Sequence, residues 1–550
     1  MNDLQRTRHI AFSTAMLIVI FATTKAISLA QTFIIANVFG ISADLDAYVS
    51  ANRIPELIVV LVSGGALTHA FIPIFSGFLA REDRQGAWRL ASHVANTVLL
   101  AASVLSALVF VAAPLLVDQV IAPGFDAATR AQTASLMRIL LLGTLVFALS
   151  GLASGILQSH NHFLLPALAP IMYDIGILFG IVALLPRLGL EGVAIGTVLG
   201  ALGHLLIQVP GLMHYGARWR AELGWNDPTL WHVVRLMIPR IVGLGVFQFN
   251  FLVMTNVASR LGTGSVSALD WGWRLMQIPQ TLIGTAMGIV IFPTLAALSE
   301  LGDSAGKRSA MSGALRFIMI ASIPSAVGLI LIGMPLISLL ERGAFDASAS
   351  VLVYSTLRAF TLGLITHSML EIVARAFYAD KDTLTPLWAA LIGAAINFVL
   401  VFILSGVSAV EAYTLYNTIA RQFPNLGYAP ISGDVSGLAL ANSLGVLVEV
   451  GVLLLILRVR WQGIDEQTLV STTLKTLAAS LVMGLAVWGA GLLWESLGLA
   501  GRGLLFTVGQ IGAQVVVGGL VFLLAAWALG LHEVNAMLRL LLRRPRLAQA

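Results

Sequence analysis

Charged side chains are scarce inside the long apolar stretches of this chain, so the few that occur there mark where chemistry could take place. Lys25 sits in the middle of one such stretch, with no acidic residue one turn away in either direction. Arg53 and Glu56 stand three apart around Pro55, a spacing that puts both on one helix face beside a locally loosened backbone. Arg274 follows Asp270 by four residues in ALDWGWRLMQIP. An ionisable group at mid-bilayer costs on the order of 2.5–3.5 kcal/mol on insertion scales, and as a rule it faces a cavity or a partner. Two readings follow. Lys25, Arg53 and Arg274 could line an electropositive cavity for an anionic group, with arginine offering bidentate contacts to phosphate and lysine a point charge. Alternatively, Arg53–Glu56 and Arg274–Asp270 could be internally neutralised structural pairs.

Other motifs carry less. Asp174 and Glu449 are isolated carboxylates that could bind a proton or a cation, and Glu371 with Arg375 reads as a simple i,i+4 pair. Arg138 and Arg358, near helix ends, are expected to snorkel. The segment GDSAGKRS at 302–309 is one residue short of a phosphate loop and has Arg308 where Ser or Thr belongs. His160 and His162 flank Asn161 without a third ligand, so no metal is expected there. No nucleophile elbow or hydrolase carboxylate pair is present. The absence of cysteine removes thiol chemistry, disulfides and cysteine-ligated metals.

The elements that hold these residues are apolar helices. The chain has 550 residues, 58% hydrophobic and only 11% charged, against roughly a quarter charged in soluble proteins. Fourteen segments are long enough to span a bilayer core: 9–37, 47–79, 88–114, 134–157, 164–185, 190–213, 233–260, 269–298, 313–340, 351–377, 385–405, 435–457, 474–494 and 504–530. The first runs well beyond a signal-peptide core and reads as a retained helix. The expected class is an all-α polytopic membrane protein with little chain left for a soluble catalytic domain. With the N-terminus in the cytoplasm, 21 of the 32 Lys and Arg fall on the cytoplasmic side, whereas only Arg130, Arg187, Arg260, Arg342, Arg421 and Arg502 fall opposite. This is the positive-inside pattern. It places both termini in the cytoplasm and accounts for the net charge of +5 without a nucleic-acid partner. The Arg-rich tail is expected to rest near anionic headgroups of membrane lipids.

The chain also repeats itself. Phe125-Asp126-Ala127, Arg138, Gly143 and Pro166 match Phe345-Asp346-Ala347, Arg358, Gly363 and Pro386 at a constant offset of 220. GLEGVAIGTVLGAL at 189–202 resembles DVSGLALANSLGVL at 434–447 at an offset of 245, after an extra loop around 406–433, and Arg53 pairs with Arg274 at 221. Counterparts lie six helices apart, an even number, so the halves run the same way through the membrane. Parallel repeats of this kind are a transporter architecture with the substrate site between the halves. The expected organisation is a six-helix lobe at 1–213, a cytoplasmic linker at 214–232, a second six-helix lobe at 233–457, two additional helices within 458–530 and a basic tail at 531–550.

Several segments bear a family likeness: ANVFGISADLDAYVSANRIPELIVVLVSGGALTHAFIPIF at 36–75, IAPGFD at 121–126, SVSALDWGWRLMQIPQTLIGTAMGIVIFPTLA at 265–296 and GAFD at 343–346. They resemble the MurJ (MviN) family of lipid II flippases, and the likeness extends over the whole chain. It implies the multidrug/oligosaccharidyl-lipid/polysaccharide exporter fold, with two lobes around a central cavity and a lipid-facing groove on the last two helices. It implies transport rather than enzyme catalysis, with lipid II, a polyprenyl-pyrophosphate-linked peptidoglycan precursor, as cargo moved from the inner to the outer leaflet of the cytoplasmic membrane by alternating access. No cofactor is implied; cycling would draw on membrane potential or a monovalent ion gradient. Arg274 matches a cavity arginine of the family, and Lys25 stands where members carry another. Gln31, Asp46, Glu56 and Asp270 are candidates for supporting or coupling roles. The chain departs from the pattern at Gln31 and Val59, where well-known members have arginine, at Gly64, which replaces a glutamate, and at Trp273, which replaces an acid. The alternatives on the same fold are export of another polyprenyl-linked glycan or a small amphipathic molecule, and a non-transporting relative.

Overall fold

The structure is a computed structural model that describes residues 23–24, 27–62, 65–405, 435–499, 503–531 and 534. Lys25 and Gly64 lie outside the described residues. Among those described there is no strand. The helices are α1 (Ile27–Phe39), α2 (Ala43–Val62), α3 (Gly65–Ala80), α4 (Arg84–Ile121), α5 (Ala127–Ser159), α6 (Leu164–Leu188), α7 (Leu190–His214), α8 (Pro228–Ala258), α9 (Ser265–Glu300), α10 (Ser304–Ser338), α11 (Ala347–Ala379), α12 (Leu384–Leu404), α13 (Val435–Arg460), α14 (Glu466–Ser496) and α15 (Leu504–Ala528). Twelve are long and apolar enough to cross a membrane among the described residues. The other two expected spans fall on α1 and on α2 with α3, so the all-α, roughly fourteen-pass reading holds.

Packing divides the chain into Met1–Ser267 and Ala268–Ala550. In the first unit Ala47, Ala51, Ile54 and Ile58 recur at helical spacing along α2 and bury against α5, which also packs on α4 and α7. The division falls after Ser267 rather than at 214–232, because α8 packs on α2 and α3 and the connection before it folds back over α4. There Ser92 Oγ donates to Arg218 O (3.2 Å), and Asn96 Nδ2 donates to Arg220 O (2.6 Å) and Glu222 O (2.8 Å). In the second unit α11 is central, packed by α10, α13 and the second half of α9, while α14 and α15 pack together against α10.

The duplication is visible atom by atom in the connections. Asp83 accepts the Gly86 amide at 2.7 Å to cap α4, and Asp303, 220 residues on, accepts the Gly306 amide at 2.8 Å to cap α10. Asp126 caps α5 through Thr129 N (2.8 Å), and Asp346 caps α11 through Ala349 N (2.8 Å). Each carboxylate satisfies a donor that the first helical turn leaves unpaired. The turns that end α5 and α11 both place a non-glycine residue in the left-handed region, Asn161 at φ 58° and Lys381 at φ 61°. Close helix contacts repeat too. A Cβ on Gly192 would lie 2.6 Å from the Leu184 carbonyl carbon, and one on Gly437 would lie 2.1 Å from the Leu404 carbonyl oxygen. Those partners again stand 220 apart.

Candidate functional site

Apart from Lys25, which lies outside the described residues, each predicted site residue can be placed within its own unit. In the first unit Arg53, on α2, is half-buried and turns towards α8: Nε donates to Thr255 Oγ1 at 3.1 Å, and the guanidinium lies 5.6 Å from the centroid of Phe251. Thr255 also donates to Phe251 O, one turn earlier. No ion pair joins Arg53 to Glu56 among the described residues, so i,i+3 neutralisation is not how this cation is accommodated. Thr255 is 202 residues away in sequence, and a threonine on an apolar helix gives no signal that would have singled it out.

Asp46 has a different role from the rest. It is 1% exposed and accepts three hydrogen bonds, from Gly264 N (2.6 Å), Ser267 N (2.7 Å) and Ser267 Oγ (2.5 Å). These donors form the entry and first turn of α9, where backbone N–H groups have no helical partner and the dipole favours an anion. Gly264, at φ 86°, adopts a left-handed conformation that an L side chain would strain, and a Cβ there would lie 2.6 Å from Ile41 O. Asp46 is therefore a positioning residue that fixes the start of the helix carrying Arg274.

In the second unit Arg274 and Asp270 do form the i,i+4 pair, with Arg274 Nε donating to Asp270 Oδ2 at 2.5 Å. The pair is lopsided: the aspartate side chain is 13% exposed and the arginine 69%. The carboxylate thus orients a guanidinium that stays open to the surroundings. Trp273, next in the chain, points the other way and packs edge-on to Phe360 (5.3 Å) and His367 (5.2 Å) of α11. His367 Nε2 in turn meets Asn442 Oδ1 at 3.1 Å. Alternation of Trp273 inward and Arg274 outward fixes the rotation of α9, helped by Gly272, where a Cβ would lie 2.4 Å from Thr356 Oγ1. Gln31 and Glu56 are half-buried on α1 and α2.

The remaining candidates resolve as follows. Asp174 accepts from Ser28 Oγ at 2.6 Å, and Glu371 pairs with Arg375 at 3.2 Å. Arg138 donates to Phe110 O at 3.1 Å. Arg358 does not snorkel: it is 3% exposed, with its guanidinium 4.8 Å from the Tyr354 ring inside the second unit, because α11 is enclosed on nearly every side. Lys307, in the phosphate-loop-like segment, is buried against Asp380 (2.7 Å) and performs structural work. His160 lies flat on Tyr215, ring centroids 4.2 Å apart, and burial and the Arg84 charge together hold its pKa below the usual histidine value. No metal-binding group of three or more His, Cys, Asp or Glu exists among the described residues.

Comparison with known proteins gives one family. Residues 35–508 match the family model described as lipid II flippase MurJ. The chain is 29% identical over 454 residues to the lipid II flippase MurJ of Burkholderia cenocepacia, covering 80% of this chain and 82% of that one. It is 28% identical over 514 residues to the probable lipid II flippase MurJ of Vibrio cholerae, covering 90% and 91%. Among solved structures, the inward closed conformation of a lipid II flippase MurJ superposes with a TM-score of 0.71 at 23% identity, over 93% of this chain and 98% of that one. An inward-facing multidrug resistance MATE family transporter of the MOP superfamily gives 0.63 at 14% identity, over 80% and 96%. At these identities the structural matches show the fold alone.

Proposed function

The chain belongs to the lipid II flippase MurJ family, and from that premise we propose that it carries the lipid-linked peptidoglycan precursor lipid II from the inner to the outer leaflet of the cytoplasmic membrane. It does so as a multi-pass transporter rather than an enzyme. Arg274 is the observation that carries the substrate reading. A half-buried carboxylate aims it, yet 69% of its side chain remains accessible, as a group that must grip and release a diphosphate requires. Arg53 supplies a second cation, steadied by Thr255 and Phe251, and Lys25 a third. Alternating access would expose the diphosphate first to one side of the membrane and then to the other. Both termini face the cytoplasm in this reading. The basic ends of both units support it: Arg84 and Arg89 begin α4, Lys307 and Arg308 begin α10, and Arg458 and Arg460 end α13. Cycling draws on membrane potential or a monovalent ion gradient, with no bound cofactor.

Complementation tests this directly. Wild-type protein should restore growth to bacteria depleted of their own flippase, and Arg274→Ala at equal expression should not. Full growth on the alanine variant would remove Arg274 from the mechanism. In vesicles, wild-type protein should make lipid II accessible from the opposite face, whereas a non-transporting relative would leave it where it was loaded. Gln31 and Val59, where family members carry arginine, favour a second reading in which the cargo is a polyprenyl-linked glycan with a less anionic headgroup. Substituting such a lipid for lipid II in the same vesicles separates the two.

A further inference from the structure

The ends of α10, α14 and α15 form an open cavity of about 480 Å³ whose lining includes neither Arg53 nor Arg274, within the range of small-molecule sites. Its lining mixes polar with apolar side chains although the three helices are apolar. Gln514 lines it and is 5% exposed; its Nε2 donates to Val487 O at 3.2 Å, which leaves Oε1 buried without a partner. Trp488 Nε1, also lining the cavity, is a buried donor without a partner. Buried polar atoms are almost always paired, so one acceptor and one donor are held ready for a hydrogen-bonding ligand. The rim carries both signs of charge, Arg342 with Glu341 and Glu495, and Glu341 is partly committed to Ser350 Oγ at 2.6 Å.

We propose that this cavity binds the headgroup of a zwitterionic phospholipid, its phosphate at Arg342 and its ammonium at Glu495, with the Trp488 N–H and the Gln514 carbonyl completing the polar contacts. The charge pattern selects this class. A free inorganic anion would meet two carboxylates, and a simple cation would meet Arg342, whereas a headgroup carrying phosphate and ammonium matches both. The flanks supply the rest of the lipid site. Leu492 and Leu504 line the cavity, and their chain neighbours Leu493 and Leu505 are 61% and 83% exposed, an apolar surface along which acyl chains can lie. On the proposed orientation this is the outer leaflet.

The test uses full-length protein in detergent micelles supplied with phosphatidylethanolamine and phosphatidylglycerol of identical acyl chains, with retained lipid counted by native mass spectrometry. Wild-type protein should keep phosphatidylethanolamine about tenfold over phosphatidylglycerol, as loss of a charge-assisted contact would predict. The surface double substitution Arg342→Ala with Glu495→Gln should bring the ratio to about one, and Gln514→Leu should lower it about threefold. Equal retention of the two lipids by wild-type protein, or an unchanged ratio in a folded double variant, would overturn the assignment. So would displacement of the lipid by O-phosphoethanolamine alone, which would make the ligand soluble, or by equimolar undecaprenyl diphosphate, which would make it a cargo site. None of these residues overlaps Arg53 or Arg274, so failure here leaves the flippase reading standing.

Discussion

The same corner of the fold is built twice, and the two versions use opposite chemistry. In the first unit the turn after α5 presents His160, whose ring stacks on Tyr215 and sits beside Trp88 (6.4 Å) and edge-on to Phe75 (5.9 Å). In the second unit the equivalent residue after α11 is Asp380. It accepts from Lys307 Nζ (2.7 Å) and Ser299 Oγ (2.5 Å), while the Lys307 ammonium lies 5.5 Å from the Trp461 ring. The backbone is conserved between the copies to the level of a single hydrogen bond: His162 N to Leu157 O and Asp382 N to Phe377 O are both 2.9 Å. Side-chain chemistry at a corner is thus interchangeable, even to the point of leaving the His160 Nε2 buried without a hydrogen-bond partner; turn geometry and caps are not. A neutral aromatic stack loses only its own contacts when cut. A buried ion pair strands a charge when one partner goes.

That asymmetry sets the largest expected effect. Asp380→Ala should lower unfolding stability by about 3 kcal/mol, because Lys307 is 8% exposed and cannot reach water. His160→Ala should lose about 1 kcal/mol of ring contact. Replacing both Lys307 and Asp380 with leucine should recover most of the first loss, since no charge is then stranded. Thermal unfolding in detergent ranks the three, and an Asp380→Ala protein as stable as His160→Ala would show that Lys307 is solvated after all.

A smaller effect should be shared by the copies. Alanine at Gly192 or Gly437 forces a methyl group onto the backbone of Leu184 or Leu404, neither of which can rotate away. Each should destabilise by about 2 kcal/mol, with Gly437→Ala the worse because its contact is the shorter. If only one of the two were sensitive, the close helix approach would not be a property of the repeat.

How much of this the sequence disclosed depended on how far the relevant partner lay along the chain. Phe125-Asp126-Ala127 and Phe345-Asp346-Ala347 revealed the duplication, and both aspartates proved to be helix caps, because a cap bonds three residues away. Arg274–Asp270 was equally visible at one turn. Arg53 was visible only as a cation within a span, since its partner Thr255 is remote. Asp46 suggested a supporting or coupling role, but its bonds to two backbone amides of the α9 entry have no sequence signature. Arg358 was misread because helical position cannot separate a lipid-facing end from an enclosed one. The repeat put 233–260 in the second half, whereas packing on α2 and α3 puts α8 with the first.

The smallest effect concerns protons at the compared corner. Burial, with the Arg84 charge, depresses the pKa of His160 below its ordinary value of 6.5, so the folded state holds this ring neutral. Between the depressed value and 6.5 the unfolded chain binds the extra proton and the folded one does not. Stability must therefore rise with pH across that window and fall as the solution is acidified below about 6.5. Asp380 offers no imidazole at the equivalent position, so this contribution is absent from the corresponding corner of the second unit. Hydrogen exchange measured at pH 7 and pH 5.5, corrected for the intrinsic rate, should show the last turn of α5 opening more readily at the lower pH and the last turn of α11 unchanged. His160→Phe keeps a ring against Tyr215 without a titrating nitrogen, and it should remove the difference. Persistence of that difference in the phenylalanine protein would move the proton to another group.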